Sequence, residues 1–182
     1  MKIIVTDRKA EQFHFRPDST LVKNSTHFYI PPFLSGLAVS LGFAFKVDKP
    51  AKSIKSKYSS RYISKYAEGL LLYGIATNNN HINSYKTATT CFDNSVYIVN
   101  QMKNMSDCSL SLSCNEKECF SKKEFLNLEA LVGAVLEKLS AQFSFKTGDI
   151  IFVECSPIEP ITIPCDIKLY SNQTPVLEFK IK

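Results

Sequence analysis

Apolar residues recur every three or four positions over residues 121–139, which predicts an amphipathic helix. The segment opens on Ser121 and Glu124, which have the spacing of a capping box, where a hydroxyl and a carboxylate satisfy two free backbone N–H groups. The apolar stripe comprises Phe125, Leu128, Val132, Val135 and Leu139. We expect this helix to end before the Lys-Thr-Gly-Asp turn signal at residues 146–149.

A second helix is predicted over residues 55–72 from a similar spacing. Its buried line comprises Tyr58, Tyr62, Tyr66 and Leu70. Its adjacent exposed line comprises Lys57, Arg61 and Lys65.

The remaining pattern is typical of strands and turns. Residues 37–47 are nearly uncharged and partly aromatic or β-branched, as expected of a strand buried on both faces. The N-terminal residues predict a first strand, and residues 150–153 predict another after the turn. Prolines then separate short strands that we predict at residues 161–163, 167–170 and 176–181. Two helices among many strands predict an α+β fold, a β-rich mixed roll or sandwich, in a single domain over residues 1–182.

The composition is that of a globular protein, with 182 residues of which 45% are apolar. No apolar run approaches the roughly 20 residues that cross a bilayer, so we expect no membrane association. The N-terminus meets charged residues after three apolar ones, which does not fit a signal peptide. We therefore expect a cytoplasmic protein whose six cysteines are reduced thiols.

The net charge of +5 is unevenly distributed along the chain. Seven basic residues lie between Lys46 and Lys65, with Asp48 as the one acidic residue among them. Lysines that neutralise phosphates and tyrosines that stack on bases would suit an anion- or nucleic-acid-binding module. However, tyrosines on one core-facing helical line cannot stack on bases. A solvated basic face is the favoured interpretation, and nucleic acid is not the expected partner.

Isolated reactive residues give weak signals. The histidines are scattered over predicted strands and loops: His14, His27 and His81. The closest cysteines have five and four residues between them, wider than most zinc pairs: Cys108, Cys114 and Cys119. Cys91 has no nearby histidine and acid to activate it. Buried thiols and unremarkable histidines are the favoured interpretation.

Glu116 and Glu118 form an E-x-E pair that would lie on one face of a strand, as metal ligands must. Lysines flank them on both sides, at positions 117, 122 and 123. We interpret the pair as part of a solvated turn.

Several segments together resemble the fumarylacetoacetate hydrolase family. Residues 15–19 (F-R-P-D-S) are similar to its F-x-K-P-x-S segment, and residues 37–42 (L-A-V-S-L-G) to its E-x-E-L-A-V-V-I-G strand. Residues 91–95 (C-F-D-N-S) resemble K-G-F-D-x-S, and residues 146–151 (K-T-G-D-I-I) resemble the L-K-x-G-D-x-I turn after a long helix. These segments occur in the family's order over nearly the whole chain. The resemblance implies the family's β-rich roll.

The resemblance also implies a metal site that this sequence lacks. The family holds a divalent cation, Mg²⁺ or Mn²⁺, through two glutamates of the E-x-E strand, a further acid and an aspartate on the next strand. The glutamate positions fall on Leu34 and Gly36, and the aspartate position falls on Ala76. No Asp or Glu occurs from residue 19 to 47 or from residue 69 to 92, so a shift of the alignment does not restore the ligands. We expect no metal at these lost metal positions.

The catalytic residues of the family are missing as well. Its N-terminal segment carries a His and a Glu, whereas no histidine precedes His14 here, and its T-G-T-P loop is replaced by residues 153–156 (V-E-C-S). We predict no catalytic residues and a vestigial cleft near the lost metal positions, which is apolar or filled by side chains rather than acidic. The polar residues carried over to its rim as substrate-binding positions are Arg16, Asn78, Asp93 and Ser95.

Three function hypotheses follow. The first is a non-catalytic relative of the family that acts as a binding or assembly subunit, as a homodimer or as a heteromer with an active relative, since the family commonly dimerises. The second is a metal-dependent hydrolase, decarboxylase or isomerase acting on a 2-keto acid or an acylpyruvate, with Mg²⁺ or Mn²⁺ held by other ligands. The third is an anion- or nucleic-acid-binding module that uses the Lys46–Lys65 region.

Overall fold

The computed structural model describes residues 1–22, 26–76, 87–106 and 108–182. Eight strands of this part of the chain form sheet A. Along its path the strands are β2 (Phe13–Pro17), β1 (Lys2–Thr6), β10 (Ile150–Glu154), β4 (Leu34–Lys46), β5 (Lys65–Ala76) and β6 (Val96–Ile98). Two further strands pair with β4 and β5, namely β11 (Glu159–Ile161) and β7 (Lys103–Asn104).

Sheet B has five strands in the described residues and packs against one face of sheet A. Its order is β3 (His27–Phe28), β13 (Thr174–Ile181), β12 (Cys165–Ser171), β8 (Cys108–Cys114) and β9 (Lys117–Leu126). Helix α1 (Leu128–Gln142) contributes to the same core. Short 3-10 helices cover Asp18–Thr20 and Ser56–Arg61. None of the described helices is long and apolar enough to cross a membrane.

Strand β4 is the centre of the molecule and is buried on both faces. Its odd-numbered residues from Leu37 to Phe45 point into the larger core, which is shared with sheet B and α1. Ala44 points to the other face, into a smaller core with Val5 and Phe152. The predicted strand at residues 37–47 is confirmed, and its near absence of charge follows from this double burial.

Sheet A curls until its two ends meet. Strand β2 lies at one end of the sheet path, yet the Arg16 Nη1 atom is 3.0 Å from the backbone oxygen of Leu72 on β5. Just after β2, Val22 donates a backbone hydrogen bond to the oxygen of Val96 on β6 at 2.9 Å. The smaller core therefore lies inside a nearly closed sheet.

Two glycines allow this interior to hold a large aromatic ring. Gly42 on β4 and Gly69 on β5 are directly paired. A Cβ at either position would lie within 2.7 Å of the Phe152 ring. The ring therefore lies flat on the sheet at the glycine pair, next to the apolar residues of the smaller core.

The predicted helix over residues 55–72 is wrong for most of its length. Ser56–Arg61 forms a 3-10 helix, and Lys65–Ala76 forms strand β5 between β4 and β6. Tyr58, Tyr62 and Tyr66 lie four residues apart, which is the spacing of a helical stripe, although they do not belong to one helix. A continuous apolar run such as residues 70–73 is as typical of a strand covered on both faces as of a buried helix. Here the segment is a strand, because it pairs with β4 and β6.

The other predicted helix exists but begins later than expected. Residues 121–126 continue β9, so the capping-box prediction at Ser121 and Glu124 is wrong. Helix α1 begins at Leu128, where the Asn127 side chain accepts a hydrogen bond from the Ala130 N–H at 2.9 Å. Its buried side contains Leu128, Val132, Val135 and Leu139, as the stripe predicted.

The remaining strand predictions are confirmed with small shifts of their ends. Residues 150–153 lie in β10, 167–170 in β12 and 176–181 in β13, whereas the short strand β11 ends at Ile161 rather than beginning there. Gly148 in the predicted turn has φ +89, and the Asp149 carboxylate accepts a hydrogen bond from the Lys146 N–H at 2.9 Å. The α+β, β-rich fold class is confirmed.

Candidate functional site

The lost metal positions lie together where β4 begins and β5 ends. Leu34 pairs with Ala76, and Gly36 pairs with Ile75 beyond a bulge. The Leu34 side chain is 7% exposed and covers Gly74 so closely that a Cβ there would collide with it. Leucine, glycine and alanine carry no side-chain oxygen, so they do not fit a divalent cation that needs oxygen ligands. Across the described part of the chain, no three His, Cys, Asp or Glu residues are grouped to hold a metal ion.

A cavity of about 670 Å³ opens at the end of sheet A where β1 and β10 finish and β2 begins. We call it the β2–β10 cleft. Its volume falls in the range of about 300–1,000 Å³ that is typical of small-molecule sites. Its lining comprises Val5, Asp7, Glu11, Gln12, Phe13, His14, Tyr73, Thr90, Glu154 and Ile158.

Arg16 lies beneath this cleft rather than at a rim, with 1% of its surface exposed. Its Nη1 donates to the Leu72 backbone oxygen at 3.0 Å, to the Ser95 backbone oxygen at 3.3 Å and to Ser95 Oγ at 3.2 Å. Its guanidinium also lies 4.6 Å from the centre of the Tyr73 ring. Burial lowers the pKa of Arg16 from its ordinary value, and the nearby Tyr73 and Glu154 oppose this effect. Arg16 and Ser95 are thus brought into direct contact.

His14 is held as an acceptor by Arg16. It lies two residues before Arg16 and on the same face of β2, and its Nε2 accepts a hydrogen bond from the Arg16 Nε at 3.4 Å. Burial lowers the His14 pKa to about 4, and the positive charge of Arg16 contributes to this shift. His14 is therefore neutral near pH 7, with its proton on Nδ1.

Tyr73 and Glu154 form a second hydrogen-bonded pair in the wall of the cleft. The Tyr73 hydroxyl donates to Glu154 Oε1 at 2.8 Å. Burial raises the pKa of Glu154, whereas the hydrogen bonds from Tyr73 and Ser40 and the charge of Arg16 favour its ionised form. Burial and the Glu154 charge also raise the pKa of Tyr73. Perturbed titratable groups that face one cavity are a feature of functional sites.

Comparisons with known proteins identify the fold. No family model matches the sequence, and no curated protein matches it. Solved structures do match. A fumarylacetoacetate hydrolase family protein from Yersinia pestis CO92 has a TM-score of 0.72 at 17% identity, over 100% of this chain and 92% of its own.

Two enzymes give similar matches. Fumarylpyruvate hydrolase from Pseudomonas aeruginosa has a TM-score of 0.76 at 12% identity, over 99% of this chain and 88% of its own. The 2-hydroxyhepta-2,4-diene-1,7-dioate isomerase from Mycobacterium marinum has a TM-score of 0.76 at 15% identity, over 99% of this chain and 73% of its own. The chain has a fumarylacetoacetate hydrolase-like fold. At these identities the likeness establishes the fold and leaves the activity to the residues of the site.

Within the fumarylacetoacetate hydrolase-like fold, the predicted rim residues separate. Asp93 is exposed and lines another cavity, of about 700 Å³, which is also lined by His27, Phe33 and Cys91. Ser95 is fully buried against Arg16. Asn78 and His81 lie outside the described residues. Arg16 and Ser95 therefore belong beneath the β2–β10 cleft, and Asp93 does not.

The other sequence candidates lie away from this cleft. Cys108 is buried on β8, whereas Cys119 is exposed on β9, and no disulfide links the six cysteines, which all lie in the described part of the chain. Glu116 and Glu118 are exposed, and Glu116 lies in the turn between β8 and β9.

The basic region between Lys46 and Lys65 differs from its prediction in one respect. Tyr58 is 40% exposed, with the Lys57 Nζ and the Arg61 Cζ each 4.9 Å from its ring centre, so the tyrosines do not share one buried line. The absence of a nucleic-acid partner stays a prediction.

The sequence analysis did not select His14, Tyr73 or Glu154 as site residues, although Glu154 lies in the segment that replaces the T-G-T-P loop. Two usable signals were present. The first is Glu154, an acid directly after the apolar run 150–153, at the end of a buried strand. The second is the i, i+2 spacing of His14 and Arg16, which places both on one face of a strand. Neither signal reveals that the sheet curls and brings the two strands together.

Proposed function

We propose that this chain is a non-catalytic relative of the fumarylacetoacetate hydrolase family that binds a small ligand in the β2–β10 cleft without a divalent metal. The lost metal positions carry the proposal. Two paired strand ends bring Leu34, Gly36 and Ala76 to one place, and the Leu34 side chain covers Gly74 there. A hard cation would have to leave its hydration shell for a site without an anionic oxygen.

The charge of the cleft supports the same proposal. Asp7, Glu11 and Glu154 line it, and Arg16 is the cation behind them. The Mycobacterium marinum neighbour acts, by its name, on a dioate, and the Pseudomonas aeruginosa structure holds Mn²⁺ and pyruvate. A dianion entering this cleft would meet three carboxylates with no metal to offset them. The proposed ligand therefore differs in charge from the dioate for which the Mycobacterium marinum neighbour is named.

Calorimetric titration with Mn²⁺ and Mg²⁺ tests the proposal, together with an assay of acylpyruvate hydrolysis. We expect no binding at micromolar concentration and no turnover above background. A combined Leu34→Glu, Gly36→Glu and Ala76→Asp variant should gain Mn²⁺ binding. Gly36 has room for this change, since the nearest atom to an added Cβ is Ile75 Cδ1 at 3.5 Å. The matched control carries Gln, Gln and Asn at the same positions.

Two results would count against the proposal. Micromolar Mn²⁺ binding by the unmodified chain would show that ligands outside the lost metal positions have replaced them. Metal-dependent hydrolysis of an acylpyruvate would favour the enzyme hypothesis directly.

A further inference from the structure

Arg16 offers a hydrogen-bonding edge that the protein itself fills only in part. The guanidinium presents its Nε–H and one Nη2–H in parallel, as a fork that matches the two oxygens of a carboxylate. The Nη1 atom, on the other side, is fully used by Leu72 and Ser95. In the fork, Nε donates to His14 at 3.4 Å, whereas the buried Nη2 has no hydrogen-bond partner among the described residues.

His14 is a poor partner for this fork. A neutral imidazole has one acceptor nitrogen, so it satisfies one of the two parallel N–H groups. A buried donor without a partner is unfavourable, because it has lost its hydrogen bonds to water and has gained none in the protein. Glu154 does not supply the missing acceptor: its Oε1 accepts from the Tyr73 hydroxyl, and neither of its oxygens is hydrogen-bonded to Nη2.

We propose that the Nε–Nη2 edge of Arg16 is a carboxylate-binding subsite of the β2–β10 cleft, closed in the free protein by the His14 side chain. His14 lines the cleft, so rotation of its side chain away from Arg16 exposes the fork to the cavity. The carboxylate of a ligand then occupies both Nε and Nη2 in the place of one imidazole nitrogen.

The rest of the cleft sets the class of ligand. Asp7, Glu11 and Glu154 line it, so the part of the ligand beyond its carboxylate carries no second negative charge. The ligand is a small monocarboxylate with a neutral or cationic remainder, and dicarboxylates are excluded. This inference rests on the proposed ligand-binding function and identifies the chemistry of that ligand.

Titration with propionate, followed by calorimetry and by the Arg16 Nε–H signal in NMR spectra, tests the subsite. We expect weak binding by the unmodified chain and at least tenfold tighter binding by His14→Ala, because the closing group is gone. Succinate should bind at least tenfold more weakly than propionate to both proteins. His27→Ala, a histidine substitution at the other cavity, should leave the propionate affinity unchanged.

Propionate affinity that does not rise in His14→Ala would overturn the proposal, and so would an Arg16 Nε–H signal that propionate does not move. Arg16→Lys should lose binding at least tenfold. If that variant does not fold, the His14→Ala titration and the NMR signal still decide. The metal titration above is independent of these measurements, so failure of the subsite and failure of the metal-free function are distinguishable.

Discussion

The polar face of β2 points into the curled sheet, although apolar side chains usually occupy the buried side of a strand. Arg16 is buried, whereas Phe15 is 43% exposed and packs edge-on against Phe143 with ring centres 5.3 Å apart. The alternation of aromatic and polar residues over Phe13, His14, Phe15 and Arg16 is typical of a strand, and these residues form β2. The alternation does not reveal that Arg16 is more buried than either aromatic residue, because the curl of sheet A places the His14 and Arg16 face inside.

His14 gives the fold a measurable pH dependence. In the unfolded chain the imidazole titrates near 6.5, whereas burial and Arg16 lower its pKa to about 4 in the folded protein. Between these values the unfolded state binds a proton that the folded state does not, so the free energy of unfolding falls as the pH drops from 6.5 to 4. We expect this contribution to be at most about 3 kcal/mol and to level off below pH 4.

The test compares urea unfolding of the unmodified chain and of His14→Gln at pH 7 and pH 4.5. The difference isolates His14 from the groups that face it, which are Arg16, Tyr73, Glu154, Asp7 and Glu11. The unmodified chain should lose more stability than the variant on acidification. An NMR titration that places the His14 pKa near 6.5 would contradict the assignment.

At the scale of elements, the sequence predicted the interior of α1 and misplaced its beginning. The apolar stripe from Leu128 onward reports burial against the core, which periodicity detects well. The capping-box pattern at Ser121 is a local signal, and pairing of β9 with β8 overrides it. The sequence also failed to predict strand β5, because pairing with distant strands overrides the local helical spacing there. Its partners β4 and β6 lie about 30 residues away on either side in sequence.

Asn127 should stabilise α1, and Ser121 should not. The Asn127 side chain satisfies a backbone N–H at the first turn, so Asn127→Ala should lower the free energy of unfolding by about 1 kcal/mol. Asn127→Asp keeps an acceptor and should be nearly neutral. Ser121→Ala, at an exposed position on β9, should change stability by less than about 0.5 kcal/mol. Thermal unfolding measures all three, and a larger loss in Ser121→Ala would restore the earlier helix start.

At the scale of the whole molecule, the fold was predictable from dispersed motifs and the site was not. The turn at residues 146–149 was predicted correctly because local hydrogen bonding fixes it. The strand at residues 37–47 was predicted correctly because burial on both faces leaves it nearly uncharged. The β2–β10 cleft combines residues from positions 5 to 158, which meet only when sheet A curls. A single sequence shows the loss of the metal ligands clearly, because residue types alone are enough to recognise that a ligand is missing. It does not show which side chains come together in the β2–β10 cleft.

A buried carboxylate of sheet A, which forms an ion pair within that sheet, is also hydrogen-bonded to sheet B, and this makes the predicted single domain testable. Glu68 on β5 is fully buried, and its Oε1 accepts from the Lys103 Nζ at 2.6 Å and from Ser171 Oγ of β12 at 2.5 Å. Lys103→Met would leave the Glu68 carboxylate buried without its cation. We expect a loss of about 3 kcal/mol in the free energy of unfolding, with much of it recovered when Glu68→Gln is added.

If the sheets unfold as one unit, far-UV circular dichroism and tyrosine fluorescence should give the same urea midpoint, and Lys103→Met should move both midpoints together. The matched control is Lys168→Ala, which breaks an exposed pair with Glu178 and should cost less than about 1 kcal/mol. Two separated transitions, with only one displaced by Lys103→Met, would contradict the single domain. Glu68 contacts Lys103 on β7 of sheet A and Ser171 on β12 of sheet B. Removal of the Lys103 charge therefore perturbs a contact between the two sheets, and we expect the whole fold to lose stability rather than one sheet alone.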